Sequence, residues 1–347
     1  MIIDNSNQYR DKLKIILERR SREVLGMFGS EAVSELSESN VVSLLKGAKD
    51  YWKDIYRPAL TSLSCEAVGG NPSATNEAAL IVTLAAAGIG IHDDIIDQSE
   101  MSHFRRTIPG RFGVDRALLV GDILIIKGLI TALRFLQRDF SPEKKDAVIN
   151  ALRDYFMEIY EGALMDISCR HDLNTDLALS CKIIWKLGAS DGEVCLKLGA
   201  ILGEGAENEI GALSEFGRRF GFLHHLGEEV KDSMNIEGAL PHRLKFESIP
   251  LPILYAARSS RITFAEVESI FQQFTFEPEA ITQLMELCFR SRAFAYTLDL
   301  AKKNAELALN KLALIPASPA RDVLAMLPEI PLRYIKSAYD LEKKYES

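Results

Sequence analysis

Two acidic runs carry the clearest chemistry in this sequence: Asp93-Asp94-Ile95-Ile96-Asp97 and Glu228-Glu229-Val230-Lys231-Asp232. Both place acids at positions one, two and five. Residues four apart share a helix face, so Asp93 and Asp97 point one way, and Glu228 and Asp232 do the same. Each run can therefore present a row of carboxylate oxygens from a rigid element. Hard oxygen donors suit Mg2+, which takes one or two carboxylates and keeps positions for phosphate oxygens and water. A solvated acidic patch would explain one such run, but two of one spacing point to shared chemistry.

Cations stand near both runs in the sequence. Arg105-Arg106 and Arg111 follow the first, and Arg243 and Lys245 follow the second. Lys186 lies in the apolar stretch KIIWKLG, and Arg57 precedes Pro58. Arginine and lysine beside metal-binding acids suit a polyanion such as diphosphate, whose oxygens can be shared between metal and guanidinium. The plainer reading makes these residues counter-ions to the acids.

The elements that must hold these residues read as helices. Residues 78–91 (AALIVTLAAAGIGI) carry no charge, which predicts a buried helix, and the run is too short to span a bilayer. The aspartates follow at its C-terminal end, where the helix dipole disfavours acids and burial calls for a compensating cation. Apolar residues at i, i+3 and i+4 predict helices over 10–26, 50–66, 74–98, 114–138, 143–167, 205–236 and 278–312, with no strand. Breaks are expected at Gly69-Gly70-Asn71-Pro72, Pro109-Gly110, Pro241, and Pro250 with Pro252. Ser318-Pro319 reads as an N-cap followed by proline at the first helical position. No low-complexity linker appears, so residues 1–347 are expected to form one all-α domain, a large helical bundle. The basic amphipathic segment 10–22 leaves a peripheral membrane contact open, although a solvated helix face explains it as well.

Composition bounds the function. Of 347 residues, 47% are hydrophobic and 26% charged, ordinary for a soluble globular protein. A net charge of −8 argues against a nucleic-acid partner. The opening MIIDNSNQYR has no apolar core of a signal peptide, and the cysteines at 65, 169, 181, 195 and 288 are dispersed. Free thiols in a cytoplasmic protein are expected.

Taken together, HDDIID, the following Arg105-Arg106, and LLVGDILIIKG resemble the trans-isoprenyl diphosphate synthases, or polyprenyl synthetases. The resemblance runs over about residues 40 to 335. Gly162-Ala163 with Asp166 stands in that family's Gly-Gln region, Lys186-Leu187 at its Lys-Thr position, and His224-His225 at its Phe-Gln position. Residues 251–256, LPILYA, echo a further family element. The resemblance implies an all-α isoprenoid-synthase bundle with a central cavity, a homodimer, and Mg2+ as cofactor, three ions with diphosphate bound. It implies condensation of an allylic prenyl diphosphate with isopentenyl diphosphate (IPP). It assigns metal binding to Asp93, Asp97, Glu228 and Asp232, with Asp94 and Glu229 in support. It places Arg105 and Lys186 on the allylic diphosphate and Arg57 and Arg106 on IPP, with His225 among the substrate contacts.

The departures concern IPP. Where the family has GGKxxRP this chain has WKDIYRP, so Asp54 falls at the lysine position unless Lys53 compensates from the neighbouring one, and Ala86 replaces an expected His or Gln. A carboxylate there repels phosphate by about 1 kcal/mol or more at close range. Two alternatives follow: ionisation of a prenyl diphosphate without IPP, in the manner of a terpene synthase, or a non-catalytic partner subunit. A di-metal carboxylate oxidase would need two Glu-x-x-His motifs on facing helices, and the sequence lacks the second. In the family, aromatics one turn before the first acid motif stop chain growth. Gly88 and Ile89 stand there here, with Ala85 and Ala86 behind them, which implies a product of twenty carbons or more, such as geranylgeranyl diphosphate.

Overall fold

The computed structural model describes residues 2–102, 104–273 and 275–345. Among them the protein is all-α apart from one short hairpin. The helices are α1 (Ile2–Glu31), α2 (Ser39–Tyr51), α3 (Tyr56–Ala67), α4 (Asn76–Ile96), α5 (Ile108–Phe112), α6 (Val114–Leu136), α7 (Pro142–Ser168), α8 (Leu177–Ile184) and α9 (Ser190–Leu202). They continue with α10 (Glu207–Ser233), α11 (Leu240–Phe246), α12 (Leu251–Ser259), α13 (Arg261–Gln272), α14 (Pro278–Arg290), α15 (Ala293–Leu312), α16 (Pro319–Met326) and α17 (Glu329–Tyr345).

Where the pattern of apolar residues was long and regular, the expected helices form. Local chemistry interrupts two of them. The segment expected over 50–66 is broken between α2 and α3, because Asp54 Oδ1 accepts the N–H groups of Tyr56 and Arg57 at 2.9 and 3.1 Å and starts a new helix. The segment over 278–312 is broken at Arg292, whose φ of 61° ends one helix before the next begins. The Ser318 cap is present: its Oγ accepts Arg321 N–H at 3.2 Å, with Pro319 opening α16.

The chain divides into two compact units. The first comprises Met1–Tyr155, Asp191–Gly217 and Lys311–Met326, and the second Phe156–Ser190, Arg218–Asn310 and Leu327–Ser347. The first has an apolar core that includes Val24, Phe28, Leu45, Leu84, Ile91 and Leu124. Its centre is α4, buried almost continuously from Ala78 to Gly88 as the charge-free run predicts. A 3-10 turn, Pro72–Thr75, precedes α4, so the helical run from Pro72 to Ile96 is 25 residues. By length and composition it can cross a membrane, which corrects the reading from 78–91 alone. However, 61% of its most apolar window is buried inside the protein, and it serves as a core helix.

Small residues set the approach of α4 to α6. A Cβ on Gly88 would lie 2.5 Å from the Gly121 carbonyl oxygen and 2.6 Å from the Ile125 side chain. Gly128 faces Ile81 and Ala85 in the same way, with Cβ distances of 3.2 Å and 3.4 Å to their backbone atoms. Gly88 and Ala85 are therefore contact points between helices. The expectation that Gly88 lines a substrate tunnel is corrected: the missing side chain makes room for α6.

The second unit gathers α8, α10, α12, α13, α14 and α17 around Phe222, Leu226, Leu254, Leu284, Phe294 and Ile335. Glu342 of α17 is buried, and its two oxygens accept the Phe294 and Ala295 N–H groups at 2.9 and 3.0 Å. It thereby satisfies donors at the start of α15 that the helix itself leaves open. Between α8 and α9 the chain makes a π-helical turn, Trp185–Ala189.

Candidate active site

The first acid motif closes α4. Asp97 is the C-cap residue, its N–H donating to the Asp93 carbonyl at 2.9 Å, and Ser99 N–H donates to the Asp94 carbonyl at 2.8 Å. Asp93 is exposed, while Asp94 and Asp97 are half-buried. The expected burial is thus partial. The chain then turns back through a two-stranded hairpin that pairs Met101 with Arg106 and Ser102 with Arg105. This is the strand the periodicity did not predict. Thr107 fastens its return, since its N–H donates to the Glu100 carbonyl and its hydroxyl to the Ser99 carbonyl. Gly110 permits the contact, as a Cβ there would sit 2.2 Å from Glu100 O.

The hairpin decides where the arginine pair goes. Both arginines are exposed. Arg105 donates to the Asp50 carbonyl at 3.0 Å and lies 5.6 Å from the centre of the Tyr51 ring. Arg106 donates to the Gly110 carbonyl at 3.2 Å. Tyr51 marks the meeting of the two charges. Burial first, and then the charge of Asp94, pushes its hydroxyl pKa up, against a hydrogen bond to Ser102 and the charge of Arg105. Asp94 and Arg105 thus reach the same tyrosine from different elements. Arg111, the third arginine of this region, stacks on Phe112 at 5.2 Å.

The second motif lies near the C-terminal end of α10, where its acids face different ways. Glu229 is only 3% exposed. One of its oxygens accepts Arg243 Nη2, and the other accepts Leu251 N–H at 2.7 Å, capping α12. Asp232 accepts the other Arg243 nitrogen, Nη1, and Glu228 accepts Lys231 Nζ at 2.8 Å. Burial alone would lower the Arg243 pKa, but Glu229, Asp232 and Glu247 outweigh it and hold it well above the usual arginine range. Two expectations change here. Glu229 is a structural anchor with both oxygens engaged, so it does not support a metal. Arg243 is a built-in counter-ion to the motif. Lys245 is exposed and rests on Phe246.

Lys186 sits in the π-helical turn, a feature common at functional sites because it re-aims one side chain. Its Nζ donates to Glu161 at 2.8 Å, which holds the Glu161 carboxyl below the usual range. Glycine makes this possible: a Cβ on Gly162 would meet Lys186 Cβ at 2.9 Å. The turn is seated against α10 by Gly188 and Gly221, where a Cβ on Gly221 would lie 2.0 Å from Gly188 O. His225 packs at the same contact and lines a cavity with Asp166, Thr175, Glu229 and Ser248. That cavity is about 10 Å3, room for roughly one water molecule and too small for a substrate.

Arg57, at the start of α3, is held by two carboxylates. Nη1 donates to Asp54 Oδ2 at 2.8 Å, and Nε and Nη2 donate to the two Asp191 oxygens at 3.1 and 2.6 Å. Sequence reasoning weighed Asp54 only as a repulsive neighbour of phosphate, and it did not find Asp191. No local signal marks a partner so far away in the chain. Ile89 is half-buried, and Ala86 is buried.

Among the described residues, no three or more His, Cys, Asp or Glu side chains stand together as a metal site. Each acid motif offers carboxylate oxygens alone, a donor set that fits Mg2+ completed by water and phosphate. The first motif, with Asp93 exposed and Asp94 and Asp97 half-buried, suits this. The second suits it once Glu228 and Asp232 exchange Lys231 and Arg243 for metal.

The polyprenyl synthetase family model matches residues 49–287, well over half of the 347. The chain belongs to the polyprenyl synthetase family. It is a prenyltransferase of the trans-prenyl diphosphate synthase type. The short chain isoprenyl diphosphate synthase of Methanothermobacter thermautotrophicus is 26% identical over 279 residues, which cover 80% of this chain and 85% of that one. The fold is similar to that of geranylgeranyl pyrophosphate synthetase from Pyrococcus horikoshii. That comparison gives a TM-score of 0.82 at 22% identity and covers 93% of this chain and 98% of the other. The polyprenyl synthase of Caulobacter crescentus, solved with calcium and isoprenyl diphosphate, gives a TM-score of 0.76 at 20% identity, covering 91% and 96%. In this polyprenyl synthetase the first motif, the hairpin arginines and Lys186 in its π-helical turn stand on well-formed elements, and Arg57 is held by Asp54 and Asp191.

Proposed function

We propose that this polyprenyl synthetase lengthens an allylic diphosphate with IPP, in the cytoplasm, to a product of twenty carbons or more. One observation carries the reading. At the end of α4 the first motif is followed at once by the hairpin that carries Arg105, and Tyr51, whose ring centre is 5.6 Å from the Arg105 guanidinium, also feels the charge of Asp94, which brings metal-type and phosphate-type ligands to one region. Asp93 and Asp97 would hold Mg2+ on the allylic diphosphate, with Asp94 supporting them. Glu228 and Asp232 of α10 would also be Mg2+ ligands, for three ions in all. Bound Mg2+ supplies charge stabilisation to the leaving diphosphate. Arg105 and Lys186 orient that diphosphate through charge-assisted hydrogen bonds, and His225 lies beside the Lys186 turn. Arg57 and Arg106 bind the IPP diphosphate. The IPP double bond attacks the allylic carbon, and the proton lost from the adduct passes to a departing diphosphate oxygen. No protein nucleophile is required. In this reading residues 1–347 act as a single catalytic domain.

The product length rests on α4, which carries no aromatic residue between Ala78 and Ile91. Ile89, rather than Gly88, is then the residue that meets the growing chain. We also assign a homodimer. Leu119, Ile126, Leu129 and Leu133 form an exposed apolar seam on α6 at coiled-coil spacing, of the kind that seeks a partner helix. Glutamate at Leu119 and Leu133 should give a monomer by light scattering.

Ionisation without IPP is the second reading, favoured by the acids on Arg57. One experiment separates them: purified protein, Mg2+, labelled IPP and allylic diphosphates of increasing length, with products identified by mass. Elongated diphosphates support condensation. Released hydrocarbons support the second reading, and no product from any substrate removes both.

A further inference from the structure

The donors of Arg57 that a phosphate would use are already taken by acid. Nε and Nη2 form a two-pronged fork on Asp191, and Nη1 is bound to Asp54, whose side chain is 6% exposed. Asp54 cannot turn away, because Oδ1 is committed to the first N–H groups of α3. Asp191 is more accessible, at 26% exposed, and lies in the first turn of α9. Tyr155 is buried, and burial first and then the charge of Asp191 push its hydroxyl pKa well up, while the Trp52 ring centre is 5.9 Å from the Arg57 guanidinium carbon. One cation faces two anions, so the cluster is net negative before any ligand arrives. A planar guanidinium presents the same fork to carboxylate and to phosphate. The Asp191 oxygens therefore stand where two phosphate oxygens would bind.

We propose that Asp54 and Asp191 form an internal carboxylate latch on Arg57 which the diphosphate of IPP must displace, with Asp191 the residue that sets how weakly this enzyme takes IPP. The inference rests on Arg57 being an IPP contact, as proposed above. Asp191 is the movable half of the latch. When it swings to solvent, Nε and Nη2 are released together, while Asp54 keeps Nη1 and holds the guanidinium in place. The enzyme thus discriminates between its two diphosphate substrates at this one arginine.

The test is the dissociation constant of IPP, measured by calorimetry on the full chain without an allylic substrate. Asp191→Asn should tighten it at least tenfold. Asp54→Asn should tighten it several-fold, because asparagine can still cap α3 and only the charge is lost. Adding Arg57→Ala to Asp191→Asn should abolish the gain. Melting temperatures show that each variant is folded, and the KM for IPP in product assays should fall in step with the dissociation constant. Unchanged or weaker IPP binding by both asparagine variants would overturn the latch and make the two acids positioning residues for Arg57. IPP binding by no variant would overturn it too, since Arg57 would not be the diphosphate contact. Tighter binding without elongated product would leave the latch standing and remove the proposed condensation. Elongation with no tightening would remove the latch alone.

Discussion

The two acid motifs share a spacing but not a physical situation. At the first, the acids close a core helix against its dipole, and Asp93 points to solvent. Its arginines arrive on a separate hairpin and are fixed through backbone carbonyls. At the second, the cations are part of the motif's own packing: Arg243 joins Glu229 to Asp232, and Lys231 bonds Glu228. The first is an acidic helix end with its arginines held on a neighbouring hairpin, and the second is bound to cations of its own and the next helix. Equal spacing therefore reports which residues share a face and says nothing about what already stands opposite them.

The largest effect should come from the second motif. Arg243→Ala leaves Glu229 buried without its cation, which should destabilise the fold by about 3–5 kcal/mol. Urea unfolding is the measurement, and a loss comparable to that of a surface pair would dissolve the contrast. At the first motif the effect should be on rate. Asp93→Ala should lower turnover by roughly 100-fold, about 2.7 kcal/mol of barrier, with the melting temperature nearly unchanged because the side chain is exposed. A comparable fall in stability would place Asp93 among the structural acids. Glu228→Ala should lower the rate by a similar factor.

Lys186 lies between these cases. Lys186→Met should raise the KM for the allylic diphosphate by roughly tenfold, about 1.4 kcal/mol, without much change in the KM for IPP. Equal changes in both constants would detach Lys186 from the allylic site. The smallest effect should follow Lys231→Met, which removes one partner of Glu228. Such pairs are worth about 0.2–1 kcal/mol, so half-saturation by Mg2+ should fall by at most about fivefold. No shift in the Mg2+ titration would mean that Glu228 does not bind the ion.

Much of the fold was legible in the sequence because helices buried on one face repeat every three to four residues. The charge-free run 78–91 of α4, the Ser318 cap and both acid rows follow directly from composition and spacing. What escaped were features with no periodic trace. A π-helical turn adds one residue to a helix without altering its composition, so the setting of Lys186 was invisible. Asp54 looked like a hostile neighbour of phosphate when its local task is to start α3. The pairing of Asp191 with Arg57 joins two distant segments that sequence pattern cannot relate. Gly88 was misread because a missing side chain signifies empty space or close contact, and only the facing Gly121 tells which. A row of small residues on α6, Gly121 and Gly128, was the available clue.

The contact between Gly88 and Gly121 also bears on how such an enzyme can change over evolutionary time. One side of α4 is fastened to α6 at a distance that admits no larger residue, so mutations there are lost to misfolding before any new activity is tested. Ile89, which is half-buried and already carries a large side chain, is not held by a backbone contact of that kind. Diversification of the product should therefore be channelled through one helix face, leaving its opposite invariant. A mutational library of α4 sorted first for soluble expression and then for product size would display the two faces as separate populations.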